Sequence, residues 1–318
     1  MALPTTTVEI IGCDDSYWCV YGEGQGEQGV TMAAEQVQGI FDAPVRQTWT
    51  ASANQTGGTL KGMWHDYRDI SLGFHVLRTS DDKMEDIESR FRMAFDFRLD
   101  QWDHDAHLAK IRFTTELSGV RELEVQLYEA PDFDMKLDPI RRQYGNPILP
   151  LRAGQPMWVG ETDKTQTWST AGSSGNGFVI ARNPTNRPML HKWVGTRGQW
   201  TLPDFSWSGK PGQRVPGVDK LSGRDDRSRT ILMPTIGALE GGFTVDLDKM
   251  EIPVRDAHDT NLLGRMPVPG RFFSYVIPPY TPATQLPVSV VGAPAGGAMV
   301  QLIQPRLWTR PWGLEKGV

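Results

Sequence analysis

The chain has 318 residues, enough for two cores at the usual domain size, with 39 % apolar residues and a formal net charge of −5. That acidic balance, with no clustered run of Lys and Arg, excludes simple electrostatic capture of nucleic acid or an anionic membrane surface. Its 33 glycines and 23 prolines favour many short strands joined by turns over long helices, so a mainly β fold is expected.

Met1-Ala-Leu-Pro-Thr-Thr-Thr7 lacks the charged and apolar pattern of a signal peptide, which predicts synthesis in a reducing cytoplasm. Cys13 and Cys19 are too few for a disulfide framework and lack CxxC spacing, so two reduced thiols are expected. Gly24-Gln-Gly26-Glu-Gln-Gly29 matches GxGxxG literally and precedes Val30, Ala33, Ala34 and Val37 at helical spacing. Glu23 and Glu27, however, stand where a pyrophosphate needs unopposed N–H groups, and no βαβ unit follows, so a flexible turn is predicted.

Further along, Ile70, Leu72, Phe74 and Val76 share one side of a predicted strand. Residues 81–97 fit two periods, since Met84, Ile87 and Phe91 form a helical stripe while Phe91, Met93, Phe95, Phe97 and Leu99 alternate. Ser80 with the acidic Asp81-Asp82 favours a short helix starting there. Asp103-His104-Asp105-Ala106-His107 gathers metal-ligand types, but HxxH without a further ligand or an HExxH base predicts a solvated loop. Next, Ala109, Ile111 and Phe113, then Leu123, Val125 and Leu127, alternate with polar residues around the turn Leu117-Ser-Gly-Val120, which is a hairpin signature.

Between Tyr128 and Trp158 five prolines interrupt the pattern, which suits a connection between cores. A boundary near 155 follows, dividing the chain into residues 1–155 and 156–318. Beyond it come Phe178–Ala181, a turn at Asn183-Pro-Thr-Asn186, Met189–Val194, and Phe243, Val245 and Leu247 running into Met250, Ile252 and Val254. Leu286–Ile303, broken by Pro287, Pro294, Gly296 and Gly297, falls short of the ~20 apolar residues of a membrane span and reads as two strands around a turn. The second half is therefore expected to be a jelly-roll or lectin-type β-sandwich.

The chain offers no GxSxG elbow, and Gly172-Ser-Ser-Gly175 sits in a Gly/Ser-rich loop. Asp132, Asp134, Asp246 and Asp248 supply carboxylates whose pairing depends on separation in space. No catalytic, cofactor-binding or metal-ligating residue is assigned, and no cofactor is expected. Of the eleven tryptophans, Trp158, Trp168, Trp193, Trp200, Trp207, Trp308 and Trp312 lie from the boundary onward, and most are expected in the core. In Gln304–Gly313, Arg306, Trp308, Arg310 and Trp312 interleave with prolines, giving large, rigid contact groups. Residues 306–313 are expected to pack against a neighbouring domain or subunit.

Five segments carry a resemblance: Thr114-Thr-Glu-Leu-Ser-Gly-Val-Arg-Glu-Leu-Glu-Val-Gln-Leu127, Pro131–Pro139 with its Asp138-Pro139, Asn186-Arg-Pro-Met-Leu-His-Lys-Trp193, Leu202-Pro-Asp-Phe-Ser-Trp207 and Trp308-Thr-Arg-Pro-Trp-Gly313. Together they resemble the distal tail proteins of siphophages infecting actinobacteria. The resemblance implies an N-terminal domain related to tail-tube proteins, a β-sandwich with one short helix, followed by a C-terminal galectin-like sandwich. It further implies a structural, non-enzymatic virion protein at the phage tail tip. There a hexameric ring would join the tail tube protein to the central hub, carry receptor-binding or other baseplate proteins, and let DNA pass without specific binding. Two other functions compete: a carbohydrate-binding module contacting host cell-wall glycan through exposed Trp, and a tail-associated hydrolase, for which no catalytic constellation is visible.

Overall fold

The structure, a computed structural model, describes residues 5–133 and 138–316. Two compact units divide the chain: residues 1–160 with 308–313, and residues 161–307 with 314–318. Asp134 and the middle of the Pro131–Pro139 segment lie outside the described residues.

The first unit contains β1 (Thr6–Ile11), β2 (Tyr17–Tyr21), β3 (Val30–Gln38), β4 (Arg46–Thr50), β5 (Thr59–Trp64), β6 (Arg68–Leu77), α1 (Met84–Met93), β7 (Ala109–Thr115), β8 (Gly119–Leu127), β9 (Asp132–Phe133), α2 (Pro139–Arg142), β10 (Tyr144–Gly145) and β11 (Pro147–Ala153). One antiparallel layer runs β2, β1, β7, β8 and the other runs β3, β6, β11. The predicted hairpin forms with Ile111 opposite Leu123 and Ala109 opposite Val125. Past Val125, β8 leaves β7, and Gln126 and Leu127 pair with Arg152 and Leu151 of β11, so one strand serves both layers. Alternation on each strand turns Ile10, Ile111, Leu123, Leu72, Phe74 and Leu151 into one core.

Helix α1 settles the ambiguity at 81–97. Met84, Ile87 and Phe91 are its buried stripe, with Glu85 and Asp86 in the first turn and Arg90 and Arg92 in the last, complementing the helix dipole. It starts later than Ser80 because Thr79 Oγ1 accepts the N–H groups of Asp81 and Asp82, closing a turn ahead of the helix. The Phe91 ring meets Phe74 at 4.8 Å and Trp18 at 5.1 Å, both edge-on.

Two local readings differ from the structure. Val30–Val37, helical in spacing, is strand β3, whose pairing with β6 jumps from Met32–Phe74 to Val37–Leu72. The extra residues bulge opposite Gly73, where an added Cβ would stand 1.9 Å from Gln36 Oε1, so the bulge needs that glycine. The Pro-spaced stretch after Tyr128 is not a connection, since β11 pairs with β6 and buries Leu149, Leu151 and Ala153. Pro150 is tolerated because on that side β11 changes partner: Ile148 pairs with β9 and Leu151 with β8, leaving its missing N–H at a gap in the ladder.

β12 (Trp158–Thr170) begins in the first unit and runs on into the second. There follow β13 (Ser174–Asn183), β14 (Lys192–Thr196), β15 (Gln199–Pro203), β16 (Trp207–Ser208), β17 (Val215–Pro216), β18 (Thr230–Leu232), β19 (Gly242–Asp246), β20 (Val254–Asp256), β21 (Thr281–Val291) and β22 (Ala298–Trp308). One layer of the second unit runs β22, β14, β19, β20 and the other β13, β21, β15, β18, all antiparallel. The two strands expected around a turn in 286–303 are β21 and β22, and they belong to different layers. Trp193, Trp200, Leu286, Val300 and Phe243 fill the space between. The turn at Asn183 is built by that buried side chain: its amide donates to the carbonyls of Arg187, Ile277 and Pro278, and its oxygen accepts from Thr185. The protein is thus mainly β, with a single helix of more than one turn, α1, among the described residues.

Candidate self-assembly surface

The most exposed organised element is the hairpin β4–β5 of the first unit. Arg46 pairs with Trp64 and Gln47 with Met63, then a bulge after Thr48 sets Trp49 opposite Leu60. Period-2 alternation therefore places Gln47, Trp49, Leu60 and Met63 on one face. Every residue of β4 is exposed, as is all of β5 except the half-buried Gly62. Trp49 is 56 % and Met63 54 % exposed, with Leu60 and Trp64 above 40 %. At the base, His65 Nδ1 lies 2.9 Å from the Pro44 carbonyl and Arg46 pairs with Asp66 at 2.9 Å, while Ile40 and Ala43 anchor the entering chain in the core. A two-stranded ribbon with an unpartnered apolar face is marginal alone and is the kind of surface that another chain covers.

The four residues predicted as contact groups separate. Arg306 belongs to the second unit, where it donates to the Arg182 carbonyl and faces Asp163 at 3.6 Å. Trp308, Arg310 and Trp312 belong to the first. Trp308 is buried beneath the Arg121 guanidinium, 3.8 Å from ring centre to carbon. Arg310 forms a two-pronged pair with Asp42. Trp312 meets Phe41 edge-on at 5.0 Å and Phe113 at 5.7 Å.

The other chemical candidates are occupied by structural work. In the Gly24–Gly29 turn, Gly26 N donates to the Cys19 carbonyl and Gln28 Oε1 accepts the Cys19 N–H, which covers the free edge of β2. His107 sits between the Leu108 carbonyl and Asp15, 3.0 Å away, and both contacts hold its imidazole above the ordinary range. Asp246 is paired with Lys192 at 2.6 Å, and Asp248 accepts the Met250 N–H. Cys13 and Cys19 are free thiols pushed up chiefly by burial, with Cys19 Sγ donating to the Glu23 carbonyl. Among the described residues no three His, Cys, Asp or Glu converge as metal ligands. None of their helices is long and apolar enough to cross a membrane. Trp158, Trp193 and Trp200 are fully buried, which removes them as platforms for a sugar, while the half-buried Trp168 and Trp207 pack on the second core.

The hairpin escaped sequence reading because its strands carry Thr, Gln, Lys and Gly beside Trp, without an alternation that buries anything. The signal present was Asn54-Gln-Thr-Gly-Gly58, turn-forming residues between two runs of β-formers.

Two antiparallel-layered units, the first with one helix of more than one turn, form a fold shared with a phage Dit protein. The crystal structure of the Dit protein (gp 19.1) of phage SPP1 superposes with a TM-score of 0.51 at 9 % identity, covering 94 % of this chain and 98 % of that one. In sequence the chain is a homologue of minor tail protein Gp27 of Mycobacterium phage D29, 26 % identical over 91 % of this chain and 94 % of the relative. The Gp27 protein of Mycobacterium phage L5 is 25 % identical with the same coverage. No family model matches the chain. The sequence relatives are phage minor tail proteins and the fold is shared with a Dit protein, consistent with the resemblance that the sequence motifs carry.

Proposed function

We propose that this protein is a distal tail protein: a structural, non-enzymatic component of a phage tail tip whose first unit closes a hexameric ring between the tail tube protein and the central hub. The observation that carries the reading is the end-to-end relationship to minor tail protein Gp27, 91 % of one chain against 94 % of the other. In this reading the second unit faces outward and carries receptor-binding or other baseplate proteins, and DNA crosses the ring without specific contacts. The net charge of −5 supports that last point, because a conduit must not hold phosphates.

A closed ring needs two different complementary patches per subunit, and a stable contact buries at least ~1,200 Å² in total. The Trp49–Leu60–Met63 face of the β4–β5 hairpin supplies one patch, reaching onto the neighbouring copy. The chain is made in the host cytoplasm, where Cys13 and Cys19 stay reduced. Immunogold labelling of virions with antibody to the second unit tests the reading: label confined to the tail tip supports it, and label on the capsid or tail shaft overturns it.

A further inference from the structure

Two arginines sit inside the first unit, Arg68 at 1 % and Arg121 at 0 % exposure. A guanidinium in that position must have its N–H groups met by acceptors, or the core carries an unsatisfied cation. Arg68 donates to the carbonyls of Pro156, Ile40 and Phe41, and its remaining arm to Thr309 at 3.0 Å. Arg121 donates to the carbonyls of Arg310 at 2.8 Å and Gly313 at 3.0 Å, and stacks on Trp308. The backbone of 308–313 is further tied by the Ala43 N–H donating to the Thr309 carbonyl and by the Gly313 N–H donating to Ser118 Oγ. Trp308 itself is part of the core that β1, β6, β7, β8 and α1 build.

In sequence, this strap follows the whole of 161–307. Chains emerge from the ribosome in order, and N-terminal domains ordinarily fold before later ones are made. Here the acceptors of Thr309, Arg310 and Gly313 and the indole of Trp308 that complete the first unit all come after residues 161–307 in the chain. We propose that segment 308–313 is a latch that withholds the folding, and with it the self-association, of the first unit until residues 161–307 have been made. The link to self-association rests on the ring reading; the latch does not. A chain that has not yet reached 308–313 then presents no finished ring surface, so copies lacking that segment are kept out of the assembly.

The test uses full-length chains stalled on the ribosome with a following linker either too short or long enough to bring 308–313 out of the exit tunnel. The expected result is that the first unit is cut by protease with the short linker and protected with the long one, and that only the latter captures purified copies of the protein. Protection of the first unit with the short linker overturns the latch. Capture of copies while the first unit is still cut overturns the link to assembly. Protection that follows linker length without capture in either state leaves the latch standing and counts against the ring reading. In the released protein, Asp42→Ala with Trp312→Ala should raise hydrogen exchange of β6 and β8 amides at least several-fold and leave β14 unchanged. Unchanged exchange throughout also overturns the latch.

Discussion

At the scale of single residues, burial decides what each polar group can do. His191 is fully buried, and desolvation lowers its pKa from 6.5 to about 4. The native state therefore stays neutral where the unfolded chain already binds a proton. Stability from this residue is complete above pH 6.5 and is lost as the pH falls from 6.5 towards about 4, on the order of 3 kcal/mol in all. Urea midpoints of the second unit should fall over that interval, and His191→Gln should flatten the slope. Gly195 is equally constrained, since an added Cβ would stand 2.2 Å from the Phe243 ring in the packed core. Gly195→Ala is expected to cost about 1–3 kcal/mol in chemical denaturation.

At the scale of elements, the parts that were legible in the sequence are those whose partners lie close by. The β7–β8 hairpin announced itself because Ala109 and Ile111 stand opposite Val125 and Leu123 across a short turn, while α1, whose residues also alternate, is decided by the Phe74 face of β6 that its stripe meets. Prolines misled at β11, where a ladder gap absorbs Pro150, and a bulge gave β3 a helical spacing. The β4–β5 hairpin was illegible because none of its residues is fully buried within its own chain. Replacing Trp49, Leu60 and Met63 by Ser is accordingly expected to leave monomer stability within about 0.5 kcal/mol, as for surface positions. The same change should abolish higher-order assembly in analytical ultracentrifugation; retained assembly would remove the hairpin from the interface.

At the scale of the whole molecule, the division of the chain does not follow sequence order. The Arg/Trp/Pro composition of 306–313 suggested packing against a neighbouring domain or subunit; the groups that 308–313 meets, Asp42, Arg68, Phe113 and Arg121, are remote in sequence and carry no local signature of it. A core completed from both ends of the sequence makes long-range closure a condition of stability, which costs loop entropy and slows folding. Refolding from urea should then show one slow phase shared by probes in the first unit, and a version with Trp312→Ala should lengthen it.

The central claim is that this protein builds a closed ring at a phage tail tip, and the subunit number of the purified protein tests it most directly. Native mass spectrometry over a range of concentrations, with negative-stain images of the same sample, is expected to give a sixfold species with a central channel. A strict monomer that stays monomeric when mixed with its tail tube and hub proteins would contradict it.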